Sequence, residues 1–111
     1  MSDDQTKTRI PEKEGIYEKD GVLYVRGFNY IERVADALSG ETRIMILKKL
    51  GDGEMDVAEL AEVLQHSKAN ISSQIRKLEE AGLVKSAYKP GKRGIKKIVQ
   101  RTIKEIRIFL E

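Results

Sequence analysis

Small polar and cationic side chains cluster between residues 67 and 81, on a segment whose apolar residues recur at a helical spacing. Ile71, Ile75 and Leu78 fall within one narrow stripe when the segment is wound at the angle of an α-helix. The rest of its surface carries hydrogen-bonding and mostly small side chains, which suit a helix that lies close to another polar surface. We therefore predict a helix over residues 67–81, capped by Ser67, with its outer face open for binding.

This outer face has the residue types that read base edges in the major groove of DNA. Asn and Gln can pair with adenine, Ser with either partner, Ala with the thymine methyl group, and Lys or Arg with guanine or a phosphate. The residues predicted to read bases are Lys68, Ala69, Asn70, Ser73, Gln74 and Lys77. The residues predicted to contact the DNA backbone are Ser67, Ser72, Arg76, Lys89, Lys92 and Arg93.

Charge is unevenly distributed along the chain. The net charge is +3 over 111 residues, yet residues 67–111 hold 12 basic and four acidic side chains, against nine basic and 14 acidic in residues 1–66. Residues 84–103 contain seven Lys or Arg and no acid. Such a run in isolation is usually a solvated face. Because this run directly follows the predicted helix, we predict that both contact the same polyanion.

The composition argues against several classes of function. The length fits one small domain, and the absence of cysteine excludes thiolate metal ligands and thiol catalysis. The single histidine, His66, is predicted to be a turn residue, and no nucleophile elbow or P-loop motif is present. We expect no enzymatic activity, no metal and no cofactor. No stretch is apolar enough to span a membrane, so we expect a cytoplasmic protein without a membrane partner.

Two kinds of element precede the predicted helix. Residues 1–13 are expected to form a flexible tail and residues 14–111 a single domain. β-prone runs flank Asp20-Gly21, a strong signal for a type I′ hairpin that pairs Tyr17 with Tyr24. Helical periodicity then covers three further segments. They are residues 28–38, residues 41–50 with Ser39 as N-cap, and a short helix opened by an Asp56/Glu59 capping box.

Two β-prone runs follow the predicted helix and form a basic hairpin over about residues 83–101. The loop that joins them contains Pro90, Gly91 and Gly94, so we expect it to be flexible. Residues 102–111 alternate in polarity in a way that favours a strand, although a helical interpretation remains open.

This order of elements predicts a winged helix-turn-helix, a mainly α fold with a small β component (α+β), with an additional N-terminal β-hairpin and C-terminal strand. The stretches "LSGETRIMILKKL" and "DVAELAEVLQHSKANISSQIRKLEEAGLVKS", followed by the basic wing, resemble the ArsR family of winged-helix transcriptional repressors, in a form similar to archaeal members. The resemblance runs from about Phe28 to Gln100. It implies a homodimer that binds a double-stranded DNA operator, often until a small-molecule inducer arrives; the sequence does not indicate which inducer.

Two features bear on how closely the chain follows this family. Met55, Asp56, Val57 and Ala58 stand where metal-sensing members carry their cysteine motif, so metal sensing by that route is not supported. The helix over residues 28–38 is apolar on two sides, which fits the family's use of its first helix for dimerisation. The predicted dimer residues are Phe28, Tyr30, Ile31, Val34 and Leu38.

The alternative hypothesis is a winged-helix module that binds proteins within a transcription complex. Such a module would more often be acidic or apolar on the outer helix face, whereas residues 67–81 are cationic and small-polar there. This difference favours DNA. The sequence leaves open whether the protein represses or activates transcription.

Overall fold

The computed structural model describes residues 12–111, so most of the predicted tail over residues 1–13 lies outside the described residues. The strands are β1 (Gly15–Lys19), β2 (Val22–Arg26), β3 (Glu54–Asp56), β4 (Lys85–Gly91), β5 (Gly94–Gln100) and β6 (Glu105–Phe109). The helices are α1 (Phe28–Leu38), α2 (Glu41–Leu50), α3 (Val57–Leu64) and α4 (Lys68–Glu80). The predicted α+β class, with its additional N-terminal hairpin and C-terminal strand, is confirmed.

The N-terminal sheet has the strand order β1-β2-β6. Asp20 and Gly21 both have positive φ, 53° and 81°, as a type I′ turn requires, and Tyr17 pairs with Tyr24 as predicted. Strand β6 runs parallel to β2, with Ile106 opposite Leu23. The C-terminal segment is therefore a strand, because pairing with β2 gives it the support that an isolated strand lacks.

The wing belongs to a second sheet, with the order β3-β5-β4. The expected flexible loop is wrong: the strands continue through Pro90 and Gly91 to a two-residue turn at Lys92 and Arg93. Proline is tolerated here because β4 is the edge strand, where a missing N–H breaks no bond of the ladder.

The core is built around α4. Ile71, Ile75 and Leu78 are each 0% exposed, which confirms the predicted apolar stripe. They belong to one buried cluster that also includes Ile46 of α2 and Leu60 of α3. Leu23 and Val25 of β2 lie in the same cluster, so the N-terminal sheet and the helices share one core. Full burial of a side chain of this size contributes about 1.5–3 kcal/mol, which fixes α4 firmly on the domain.

Both ends of α4 are fixed by local sequence. At its start, the Ser67 hydroxyl accepts a hydrogen bond from the Asn70 amide at 3.0 Å, as predicted for an N-cap. At its end, Gly82 has φ +81°, and a Cβ there would lie 3.3 Å from Ile16 Cγ2. Gly82 thus stops the helix and leaves room for β1 to close over it.

Two predictions about the first helices are wrong. Ser39 is not the N-cap of α2, since it ends α1 and its hydroxyl donates to the Asp36 carbonyl at 2.7 Å; Gly40 precedes α2 instead. Val34 cannot contribute to a dimer surface in this structure, because it is 0% exposed. Periodicity shows that two faces of α1 are apolar but not which one turns inward. The Asp56/Glu59 capping box is confirmed, with both reciprocal bonds present.

Candidate nucleic-acid interface

The predicted base-reading residues all lie on the outer surface of α4, but they differ in exposure. Lys68, Ala69, Ser73 and Lys77 are exposed, whereas Asn70 and Gln74 are partly buried. Among the residues predicted to contact the DNA backbone, Ser67 and Arg76 are exposed and Ser72 is partly buried. The helix therefore presents one continuous polar surface, with two amide side chains at its inner edge.

These two amides form part of a chain of hydrogen bonds. Arg43 Nη1 donates to Gln74 Oε1 at 2.6 Å, and Gln74 Nε2 donates to Asn70 Oδ1 at 3.1 Å. Asn70 Nδ2 in turn lies 3.1 Å from His66 Nδ1. The side chains predicted to read adenine are thus already held by contacts within the protein.

Lys77 is also held, through an ion pair with Asp36 of α1 at 3.3 Å. Both side chains are more than half exposed, so the pair contributes little to stability and water screens it. A phosphate or a guanine could therefore take the place of Asp36 as the partner of Lys77.

The tip of the wing is less constrained. Lys92 and Arg93 occupy the exposed two-residue turn, and within residues 12–111 neither has a hydrogen-bond or ion-pair partner. Lys89 lies farther down β4 and pairs with Glu54 at 3.1 Å, across an exposed surface. Of the three wing residues predicted to contact phosphates, two therefore have no partner within the described residues and one is already paired.

A groove of about 490 Å³ joins the wing to the amino-terminal half of α4. Its cationic lining comes from both elements. It includes Lys68 of α4, Lys96 and Lys97 of β5, and Arg93 at the tip of the wing, and Ser72 of α4 adds a hydroxyl. Asp56 is the acidic residue of the lining, and it pairs with Lys96 at 3.6 Å. The groove has the positive lining that a phosphate backbone requires.

The N-terminal sheet carries an ion pair between Arg107 and Glu105, both on β6. Arg107 Nε donates to Glu105 Oε2 at 3.0 Å, and this hydrogen bond, with the charge of Glu105, raises the pKa of Arg107 above its usual value. The Arg107 guanidinium also lies 5.7 Å from the centre of the Tyr24 ring. Both contacts lie on the N-terminal sheet and leave the wing and α4 untouched.

The described part of the chain shows neither a metal-binding cluster nor a membrane-spanning helix. Residues 12–111 contain no group of three or more His, Cys, Asp or Glu side chains that could hold a metal ion. No helix within the same range is long and apolar enough to cross a membrane.

Sequence reasoning missed Arg43, Tyr88 and Ile95 at this surface. Tyr88 and Ile95 line the groove, and they are 70% and 76% exposed. One feature of the sequence could have indicated a role for Arg43. It lies in the first turn of α2, where the helix dipole favours acidic side chains. A basic residue at such a position indicates a compensating partner, although the sequence does not say that the partner is Gln74.

The sequence of residues 40–86 matches the model of a protein family, "Bacterial regulatory protein, arsR family". This segment is therefore similar to the helix-turn-helix domain of that family. It spans α2, α3 and α4 and the start of β4, so the N-terminal sheet lies outside the matched residues. No curated protein matches the sequence of the chain.

Solved structures resemble about two thirds of the chain. The homodimeric winged helix-turn-helix DNA-binding domain of a possible ArsR-family regulator from Mycobacterium bovis has a TM-score of 0.59 at 24% identity, over 68% of this chain and 66% of that chain. Reduced HlyU from Vibrio cholerae has a TM-score of 0.57 at 26% identity, over 67% and 74% of the two chains. An ArsR-like transcriptional regulator from Rhodococcus sp. RHA1 has a TM-score of 0.56 at 31% identity, over 67% and 64%. The chain thus shares the winged helix-turn-helix fold of these proteins.

Proposed function

We propose that the protein is a sequence-specific regulator of transcription that binds double-stranded DNA as a homodimer. In this proposal α4 enters the major groove and the wing contacts the DNA backbone. The observation that carries it is the groove between α4 and the wing, because both elements line it with basic side chains. The similarity of residues 40–86 to the ArsR family supports the same conclusion.

The proposed contacts divide between the two elements. Lys68, Ala69, Asn70, Ser73, Gln74 and Lys77 would meet base edges, because a buried stripe holds their helix in place. Ser67, Ser72, Arg76, Lys89, Lys92 and Arg93 would meet phosphates and fix the orientation of the protein on the duplex. The helix would then supply sequence preference and the wing mainly affinity.

The proposed dimer uses α1. Phe28 is 71% exposed, while Tyr30, Ile31 and Leu38 pack against the core and keep only part of their surface exposed. These four remain from the predicted set once Val34 is removed. Exposed Ile108 lies in β6, an edge strand next to β2, and exposed Leu110 follows this strand. A two-fold dimer of this kind would place its two α4 helices about 34 Å apart, one turn of DNA.

Repression is the proposed regulatory outcome, and the cytoplasm the proposed location. The similarity to the ArsR family favours repression, in which the bound dimer blocks access to the DNA that it covers. The proposal includes neither a metal nor a cofactor. It leaves the inducer open.

A protein-interaction module is the second candidate. Exposed Phe28 and Leu110, at 71% and 69%, would favour it if they met a different protein instead of a second copy of this chain. In that case the basic groove would be an incidental property of the surface, and binding to DNA would show no sequence preference.

Selection of bound sequences from a random pool of double-stranded DNA tests the proposal. We expect enrichment of a palindromic motif whose half-sites lie one helical turn apart, because a two-fold dimer presents the same helix twice. A pool that stays random after repeated rounds would overturn the proposal and favour the interaction module.

A further inference from the structure

Arg43 occupies the junction of three helices. Its Nε donates to the Ala37 carbonyl at 2.9 Å, and its Nη2 donates to the Asp36 carbonyl at 3.0 Å. Both carbonyls belong to the last turn of α1, where the helix dipole attracts a cation. The third contact, from Nη1 to Gln74 Oε1, crosses to α4. The two bonds to α1 therefore fix the orientation of the planar guanidinium, independently of its contact with Gln74.

The contact with Arg43 decides which way the Gln74 amide faces. An amide can rotate by half a turn and exchange its donor and acceptor ends, but only its oxygen can accept from a guanidinium. With Oε1 held at 2.6 Å by a charged donor, Nε2 must face Asn70, and it donates to Asn70 Oδ1. The orientation of Asn70 follows, since its oxygen faces Gln74 and its nitrogen lies beside His66 Nδ1.

We propose that Arg43 is a positioning residue for sequence readout, which fixes the donor and acceptor pattern that Gln74 and Asn70 present to base edges. This inference rests on the proposed function. Reading adenine requires the amide oxygen to face N6 and the amide nitrogen to face N7, so an amide held in one orientation discriminates better than one that rotates. Arg43 itself does not need to touch DNA.

A purely structural role of Arg43 is the competing explanation. Its two bonds to the carbonyls of α1 tie α2 to α1, and they would stabilise the fold even if Gln74 were absent. The two explanations differ in one respect. Only the positioning role makes the preference for the selected DNA site depend on Arg43 through Gln74.

The test compares Arg43→Lys with Arg101→Lys. Arg101 is the matched control, because its Nε also donates to a backbone carbonyl, that of Gly51 at 2.8 Å. Its second contact is an ion pair with Asp52 at 3.9 Å. Both partners lie in the loop after α2, and neither belongs to α4. Lysine keeps the charge but loses the planar fork. We expect Arg43→Lys to lower the ratio of affinities for selected and random DNA about tenfold, within the range for an amide–base pair. Arg101→Lys should leave this ratio unchanged.

A double-mutant cycle locates the effect. If Arg43 acts through Gln74, the ratio should fall no further when Arg43→Lys is added to Gln74→Ala. A further tenfold fall in the double variant would overturn the proposal, as would a ratio in Arg43→Lys equal to that of the wild type. If the wild-type protein itself shows no preference between the two DNAs, the proposed function fails instead.

NMR of the wild-type protein without DNA provides a measurement that does not depend on the variant folding. Side-chain amide protons of Gln74 and Asn70 should exchange slowly with solvent, unlike those of Gln65, which is exposed. In folded Arg43→Lys we expect the protection of both amides to be lost. Wild-type amides of Gln74 and Asn70 that exchange as fast as that of Gln65 would contradict the inference.

Discussion

Helix α4 and the tip of the wing both present polar or cationic side chains, but only on α4 are some of them held by contacts within the protein. Below α4 lie three side chains that are 0% exposed, and Asn70, Gln74 and Lys77 have partners within the protein. Lys92 and Arg93 stand on an exposed turn without such partners within residues 12–111. Fixed groups can discriminate between bases, whereas exposed charges without a partner can neutralise any phosphate. The next four predictions test this difference.

The largest expected effect concerns stability, and it compares two isoleucines. Ile75→Ala removes a fully buried side chain beneath α4 and should lower the free energy of unfolding by about 2–5 kcal/mol. Ile95→Ala, on the wing, removes a side chain that is 76% exposed and should change it by less than about 0.5 kcal/mol. Urea denaturation measures both. Equal losses would mean that the wing is as firmly packed as α4.

Breaking the proposed dimer should weaken binding to the selected site. Phe28→Glu places a charge on a side chain that is 71% exposed at the start of α1, and a charge is costly in an apolar interface. We expect a monomer in light scattering, with affinity for the selected site reduced about 100-fold because two linked half-sites are no longer bound together.

The matched control for this variant is Val63→Glu. It adds the same charge at another exposed apolar residue, on α3, and should leave the dimer intact. Phe28→Glu protein that remains dimeric at micromolar concentration would refute the role of α1.

Neutralising the wing tip should act on all DNA alike. Replacing both Lys92 and Arg93 with Ala should reduce the slope of log affinity against log salt concentration by about two, one for each lost phosphate contact. Lys104→Ala is the control, since it removes an exposed charge from the segment before β6. A loss confined to the selected sequence would show that the tip reads bases.

The smallest effect concerns the turn that connects α3 to α4. Gln65 has φ 59°, a left-handed conformation that costs non-glycine residues about 1–2 kcal/mol. Gln65→Gly should therefore raise the free energy of unfolding by about 0.5–1 kcal/mol, after the entropic cost of glycine in the unfolded chain. Thermal denaturation measures this gain, and the preference for the selected site should not change. Gln65→Ala keeps the strain, so an equal gain in that variant would contradict the explanation.

Local signals predicted most of the helices and hairpins. The Asp20-Gly21 turn, the Ser67 cap and the Asp56/Glu59 capping box each depend on residues within a few positions of one another, so their types alone indicate the structure. The apolar stripe of α4 was equally clear, because its three members repeat at helical spacing.

Features that depend on distant residues could not be predicted. Strand β3 is only three residues long and exists because it pairs with β5, more than 40 residues later. The contact between Arg43 and Gln74 spans 31 positions. The inward direction of Val34 depends on the packing of α1, which its periodicity does not reveal. The predicted site residues of α4 lie on one surface, yet the contacts that hold them were absent from the prediction.

The most direct test of the account is binding by two single variants to two DNAs, the selected site and a random duplex of equal length. Asn70→Ala should weaken binding to the selected site by about 1–3 kcal/mol and leave binding to random DNA almost unchanged. Arg93→Ala should weaken binding to both DNAs by the same factor, because it removes a phosphate contact that every sequence offers. If both variants lost the same affinity on both DNAs, the protein would coat DNA without reading it, and the proposed role as a sequence-specific regulator would be wrong.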